Sequence, residues 1–303
     1  MDLPTAMPAR VPAALLTFAI ATTLAGCGSS PEIPADESQA TADAPAAFKG
    51  LRLSSWTIDD RTATTGKGPS PAELAFARIE SHAQRPLPLG AGAADTWRRE
   101  GVRVVAIPRS EADALRAELK LAGPLQQQFF GEVLRWTTVH AGAESEFAML
   151  LDQPGGPLRL NAGELRLLAR AFVIPGAPTE DGGVRAAMRL DLAVQHFDPT
   201  IVRPDSVDLS ATRRPNIEEQ GTILRSLSTS AVLDGTDVLV ILTQPREAEE
   251  LPGPTETQGP LPAALPRVGD ALLTDYSSLP KPHVRTILML DPIVPSRYEL
   301  PAF

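Results

Sequence analysis

From residue 221 to 245 the chain reads GTILRSLSTSAVLDGTDVLVILTQP, and the segment Val238 to Leu242 is apolar without a break. A run of that length, bounded by Asp234-Gly235 and by Pro245, suits a strand buried on both faces and is too short for a typical helix. The pattern predicts two strands joined as a hairpin at Asp234-Gly235. Upstream, VRAAMRLDLAVQHF sets Val184, Ala186, Met188, Leu190, Leu192 and Val194 on one face and Arg185, Arg189, Asp191 and Gln195 on the other. That is the period of a strand with one buried and one wet face. Further strands are predicted at Val133 to Val139, Glu146 to Leu151, Leu165 to Ile174 and Val284 to Leu290. The connection GAPTEDGG is rich in turn formers, so the two long strands it joins are expected to pair antiparallel.

Before Gly131 the pattern differs. Leu51, Leu53, Trp56 and Ile58 alternate approximately as in a strand, and a helix follows with Ser70 as N-cap, Pro71 at its first position and Glu73 as the capping-box acid. Val102, Val104 and Ala106 form a second strand, and Ser110 and Asp113 cap a second helix that Gly123 and Pro124 end. The stretch RPLPLGAGAA between these units reads as punctuation. The expected fold class is therefore α+β, with a small α/β domain over residues 49–122 and a mainly antiparallel β domain over residues 123–303.

The N-terminus has a different character. Arg10 precedes the apolar residues 11–26, which end in small side chains, the layout of an export signal too short for a comfortable membrane span. Leu24-Ala25-Gly26-Cys27 resembles the lipobox of bacterial lipoproteins. The resemblance implies that the Cys27 thiol is acylated, that the chain is cut after residue 26, and that Cys27 anchors the protein in a membrane. Gly28, where an Asp would favour inner-membrane retention, implies the periplasmic face of the outer membrane. Residues 27–48 carry Glu32, Asp36, Glu37 and Asp43 with no basic residue before Lys49 and no apolar periodicity. They read as a disordered tether.

Composition narrows the function. At 303 residues and 43% hydrophobic the chain can bury a core, and 30 prolines with 22 glycines favour turns and strands. A formal charge of −9 with no concentration of Lys and Arg argues against a nucleic-acid partner. Cys27 is the only cysteine, so neither an intramolecular disulfide nor a cysteine-based zinc site can form. No nucleophile elbow, phosphate loop or dinucleotide fingerprint occurs. His82, His140, His196 and His283 lack helical ligand spacing. The acidic pairs Asp59-Asp60 and Glu180-Asp181 fall among turn residues, so solvated turns account for them. Arg189 and Asp191 share a strand face and read as a surface ion pair. Trp56, Trp97, Trp136, Phe129 and Phe130 read as core. Neither a catalytic residue, a metal nor a cofactor is expected.

The order of β segments resembles the secretin domain of type II and type III secretion systems. LRLLARAFVIP with VRAAMRLDLAVQHF is similar to its strand pair and RSLSTSAVLDGTDVLVIL to its Asp-Gly hairpin. PRVGDALL is similar to its Pro-x-x-Gly-Asp segment, with Gly269 and Asp270 at the turn, and RTILMLDPIV to its closing strand. Ile241 and Leu242 stand where that pattern has paired glycines. The resemblance covers residues 125–296 and implies a structural or interaction role in a secretion-type assembly, the partner being another envelope protein or a further copy of the chain. Two alternatives stay open: a pore-forming secretin relative, and a periplasmic ligand-binding protein or enzyme with an unrecognised site.

Overall fold

The unbroken apolar run lies in the middle of the molecule. In the computed structural model, which describes residues 48–60, 68–83, 87–200, 216–245, 265–275 and 284–299, it forms β10 (Asp237–Thr243) of a central sheet. That sheet also contains β1 (Gly50–Asp59), β2 (Val102–Pro108), β3 (Gln126–Gly131) and β12 (Val284–Ile293), in the order β2-β10-β12-β1-β3. The short β11 (Thr274–Asp275) lies beside β12. A second sheet has the order β4-β7-β8-β9, built from β4 (Val133–Ala141), β7 (Glu164–Pro178), β8 (Val184–Phe197) and β9 (Gly221–Leu233). β5 (Met149–Leu151) and β6 (Leu158–Leu160) pair with each other. All these strand pairings are antiparallel. The fold is mixed α+β, mainly antiparallel sheet with a few helices.

Double burial explains why β10 is apolar throughout. Val238, Val240 and Leu242 pack with Trp56, Ile58, Ile79, Ile107 and Leu115 under two helices, α1 (Pro71–His82) and α3 (Arg109–Glu118). Leu239 and Ile241 pack on the opposite face with Leu190, Leu192, Leu227 and Leu288, between the two sheets. The layers are therefore helices, central sheet and second sheet. Ile241 and Leu242, the departures from the secretin glycines, are buried on opposite faces. Two further helices, α2 (Ala91–Arg99) and α4 (Val268–Leu273), border the inter-sheet core through Trp97, Val268 and Leu272.

Several expectations hold in detail. Ser70 Oγ accepts from Glu73 N at 3.1 Å and Glu73 Oε2 accepts from Ser70 N at 2.7 Å, closing the capping box with Pro71 at the first helical position. β8 runs from Val184 to Phe197 and pairs antiparallel with β7 in continuous register from Glu164↔Phe197 to Pro175↔Ala186.

Others need correction. The expected hairpin is not one: β9 pairs with β8 in the second sheet, while β10 lies between β2 and β12 in the central sheet. The turn itself exists. Gly235 has φ +84°, a left-handed conformation that favours glycine, and Asp234 Oδ1 accepts from Thr236 N at 2.9 Å. It carries the chain between sheets because β9, alternating, needs one covered face and β10 needs two. The boundary expected at residues 122/123 runs through a sheet, because β1 and β2 are bonded to β12 and β10. Residues 46–303 form one compact unit.

Helix α3 starts at Arg109, after Pro108, without a side-chain cap. The backbone N–H of Arg109 instead donates to Thr236 O at 2.8 Å, so Ser110 and Asp113 are not needed at its start. The stretch read as punctuation enters α2, whose Trp97 is fully buried. PRVGDALL forms α4, not an open turn: Asp270 Oδ2 accepts from Arg267 N at 3.0 Å in the first helical turn. Gly269 is required by close approach, since a Cβ there would lie 2.0 Å from Gly101 O. Cys27, the lipobox residues Leu24, Ala25 and Gly26, the signal and the tether up to residue 47 lie outside the described residues, as does His283. Among the described residues no helix is long and apolar enough to cross a membrane.

Candidate functional site

The acidic residues singled out from the sequence fall into different places. Asp60 is buried and accepts from Arg285 Nε at 3.2 Å and Ala72 N at 3.3 Å, which ties the end of β1 to β12 and to the start of α1. Asp59 lines an open cleft of about 610 Å³ with an apolar floor at Ile58, Ala75 and Leu119 and with Arg78 and Glu118 at its mouth. Glu180 is exposed in the β7–β8 turn, where Asp181 accepts from Gly183 N and from Arg297. His82 bonds Glu111 at 2.8 Å and so joins α1 to α3. His140 and His196 each bond a backbone carbonyl, of Leu272 at 3.0 Å and Asn161 at 3.2 Å. Burial holds both below the ordinary histidine range against those bonds. Among the described residues no group of three or more His, Cys, Asp or Glu side chains is placed to hold a metal. Trp56 and Trp97 are core residues.

One predicted pair became a larger cluster. Arg189 Nε donates to Asp191 Oδ1 at 3.0 Å, but the carboxylate is buried and collects three more bonds. Arg170 of β7 donates from Nε at 3.2 Å and Nη2 at 2.7 Å, and Ser230 of β9 donates its hydroxyl at 2.6 Å. The Arg170 guanidinium also sits 4.9 Å from the ring of Trp136 on β4. Burial alone would raise the Asp191 pKa; the Ser230, Arg170 and Arg189 donors offset it and hold the carboxyl below the ordinary range. Sequence spacing shows Arg189 and Asp191 on one face, whereas Arg170 and Ser230 come from neighbouring strands and needed the register Arg170↔Asp191↔Ser230. Asp291 is a second such centre, bonded by Arg52 Nε at 3.0 Å and by Arg109.

The surface that differs from these closed networks is β3. It is the last strand of the central sheet, bonded to β1 along one edge, and its sequence QQQFFG has no charge and no proline. Edge strands normally carry such features as protection against further pairing. Phe129 is 45% exposed and Phe48 79% exposed, their rings edge to face at 6.3 Å. Phe130 instead packs on the inter-sheet core. Gly131, at φ +67°, ends the strand and turns the chain toward β4. The expectation of core aromatics is thus corrected for Phe129, because an edge residue has sheet on one side only.

Fold and surface together define an α+β, mainly antiparallel protein in which, among the described residues, no strand pairs with the outer edge of the uncharged β3. No family model matches the chain, and no curated protein or solved structure matches it either.

Proposed function

We propose that this chain is a lipid-anchored interaction protein of the bacterial cell envelope that binds an extended segment of a protein partner along β3. The carrying observation is the uncharged, proline-free edge of β3 with the phenyl rings of Phe129 and Phe48 exposed beside it. Strand addition uses such an edge, with main-chain hydrogen bonds for affinity and side-chain contacts for selectivity. The six residues Gln126–Gly131 are of ordinary strand length. Acylation at Cys27 supplies the membrane attachment; the setting, a secretion-type assembly, rests on the resemblance of the sequence alone, since β9 and β10 do not form the hairpin it implies. The role is assembly and not catalysis.

The test places a photo-crosslinking residue at Gln128 and, as a control on a distant surface, at Arg116, in cells that make the native lipoprotein. Crosslinks from position 128 to one partner, abolished by Phe129→Lys, are expected, together with slower amide exchange over 126–131 in the purified complex. Equal crosslinking from both positions, or unchanged exchange over β3, would sink the reading. Fatty-acid labelling that persists in Cys27→Ser would remove the anchor from it.

A further inference from the structure

The outward face of the second sheet has charge opposite to that of the whole chain. Along β7 and β8 the register places Arg170 and Phe172 beside Arg185, Arg189 and Asp191 on this face, while farther along it Leu168, Ala193 and Gln195 are buried, Gln195 donating to Ile217 O at 2.8 Å. Met188, Leu190, Leu192 and Val194 turn into the core. On the exposed part three arginines, Arg170, Arg185 and Arg189, thus stand against one carboxylate, in a chain of formal charge −9. That carboxylate is engaged already: Asp191 lies buried beneath Arg170 and Arg189.

Asp191 fixes two guanidinium groups side by side, and Trp136 holds one of them from the β4 side. A guanidinium has five N–H donors. Arg170 spends two of these on Asp191 and Arg189 spends one, while both side chains keep more than a third of their surface in solvent. Arg185, one strand period pair away on the same face, is exposed. The free donors are therefore aimed outward and held in place before any anion arrives, which lowers the ordering cost of binding.

Apolar side chains border the arginines on both edges of this face. Leu134 on β4 is 71% exposed, and Val232 on β9, the cross-strand neighbour of Arg189, is 54% exposed. Arginines flanked by an indole and by exposed aliphatic groups match a surface that rests on phosphates and dips apolar tips beneath them. A free phosphate or an acidic peptide would use the guanidinium groups and leave the leucine and valine without a role. We infer that the exposed part of this face of the β4-β7-β8-β9 sheet docks on an anionic phospholipid surface, Arg170, Arg185 and Arg189 meeting headgroup phosphates and Leu134 and Val232 the acyl boundary. The acidic remainder of the chain is repelled by the same surface, so the patch also sets which way the molecule faces. This inference stands apart from the β3 edge and does not need the Cys27 acyl chain.

The experiment uses the full chain carrying Cys27→Ser, so that no acyl group contributes. It is mixed with vesicles of phosphatidylcholine alone or of phosphatidylcholine and phosphatidylglycerol in equal parts, and bound protein is read by flotation. Any insertion by the apolar residues 11–26 appears on both vesicles as a common background. Binding above that background is expected on the anionic vesicles alone, and raising salt to about 0.5 M releases it. Arg185→Gln with Arg189→Gln lowers the partition coefficient about 30-fold, two surface charges being removed. The glutamine at 189 keeps an amide donor for Asp191, and circular dichroism confirms the fold. Leu134→Ser, which touches no ion pair, lowers binding to the same vesicles independently. Equal binding to both vesicles above background, or an unchanged partition in the folded double variant, overturns the inference. So does polyglutamate binding that needs the same arginines while anionic vesicles fail to bind.

Discussion

One carboxylate, Asp191, links three strands: Arg170 on β7, Arg189 on β8 and Ser230 on β9 all donate to it. Replacing it by Asn keeps the shape and removes the charge that organises the cluster. We expect Asp191→Asn to cost about 1.5–3 kcal/mol in denaturant unfolding, the range for hydrogen bonds to a charged group. Because its folded-state pKa is depressed, the Asp191 contribution is complete above the ordinary value of 3.8 and is lost as pH falls through the lower folded value. His140 and His196 act at milder pH. Their folded values lie below the ordinary 6.5, so below that pH the unfolded chain takes up protons that the folded chain resists. Stability from these two residues is full above about pH 6.5 and declines as pH drops toward their depressed values. Glu100, buried and raised by that burial, works in the opposite sense nearer the carboxylate range. The thermal midpoint is therefore expected to fall between about pH 7 and about pH 5.5, and His140→Gln with His196→Gln to flatten that slope. A midpoint that stays level in the parent protein refutes the assignment.

The strands were legible wherever a side-chain period fixed them. β8 shows one buried face in its own sequence, but the face expected to be wet is exposed only at Arg185 and Arg189 and buried at Asp191 and Gln195; β10 shows two buried faces by having no polar residue from Val238 to Leu242. Replacing Ile241 by Ala tests this double burial, with an expected loss of about 2–5 kcal/mol in unfolding free energy. A polar-facing residue would lose almost nothing. What the period could not supply was pairing, because the choice of partner for β9 and β10 depends on strands far away in sequence. Asp234-Gly235 gives a turn and leaves open whether that turn joins neighbours or crosses between layers. Helix α2 was hidden for a related reason: AGAADTWRR is short, polar on average and without a side-chain cap, and Trp97 reaches a core that β2 and β9 create. Gly269 was visible as a residue, but its cause, the Gly101 carbonyl 2.0 Å from where a Cβ would stand, is a contact across α2–β2 and α4. The Asp191 cluster was half visible, its same-strand half.

Among the described residues, those of 49–122 do not make a domain that could stand alone. β1 is flanked by β12 and β3, and β2 is bonded to β10, so residues 49–122 own two strands with no bond between them. A fragment of residues 49–122 is expected to be unfolded by circular dichroism and by amide dispersion, and a chain ending before Val284 to lose both flanks that β12 provides to β1 and β10. A folded, protease-resistant 49–122 fragment would contradict this arrangement. The position of β12 also governs time. Arg52 and Asp291 meet across 239 residues of sequence, and contacts of such separation make closure slow, because the loop must be ordered before the contact repays it. During synthesis the first strand is made with its neighbour still unwritten, and an apolar edge stays open until the last strand has left the ribosome. Of the described strands the last to be made, β12, is the one for which the first has been waiting.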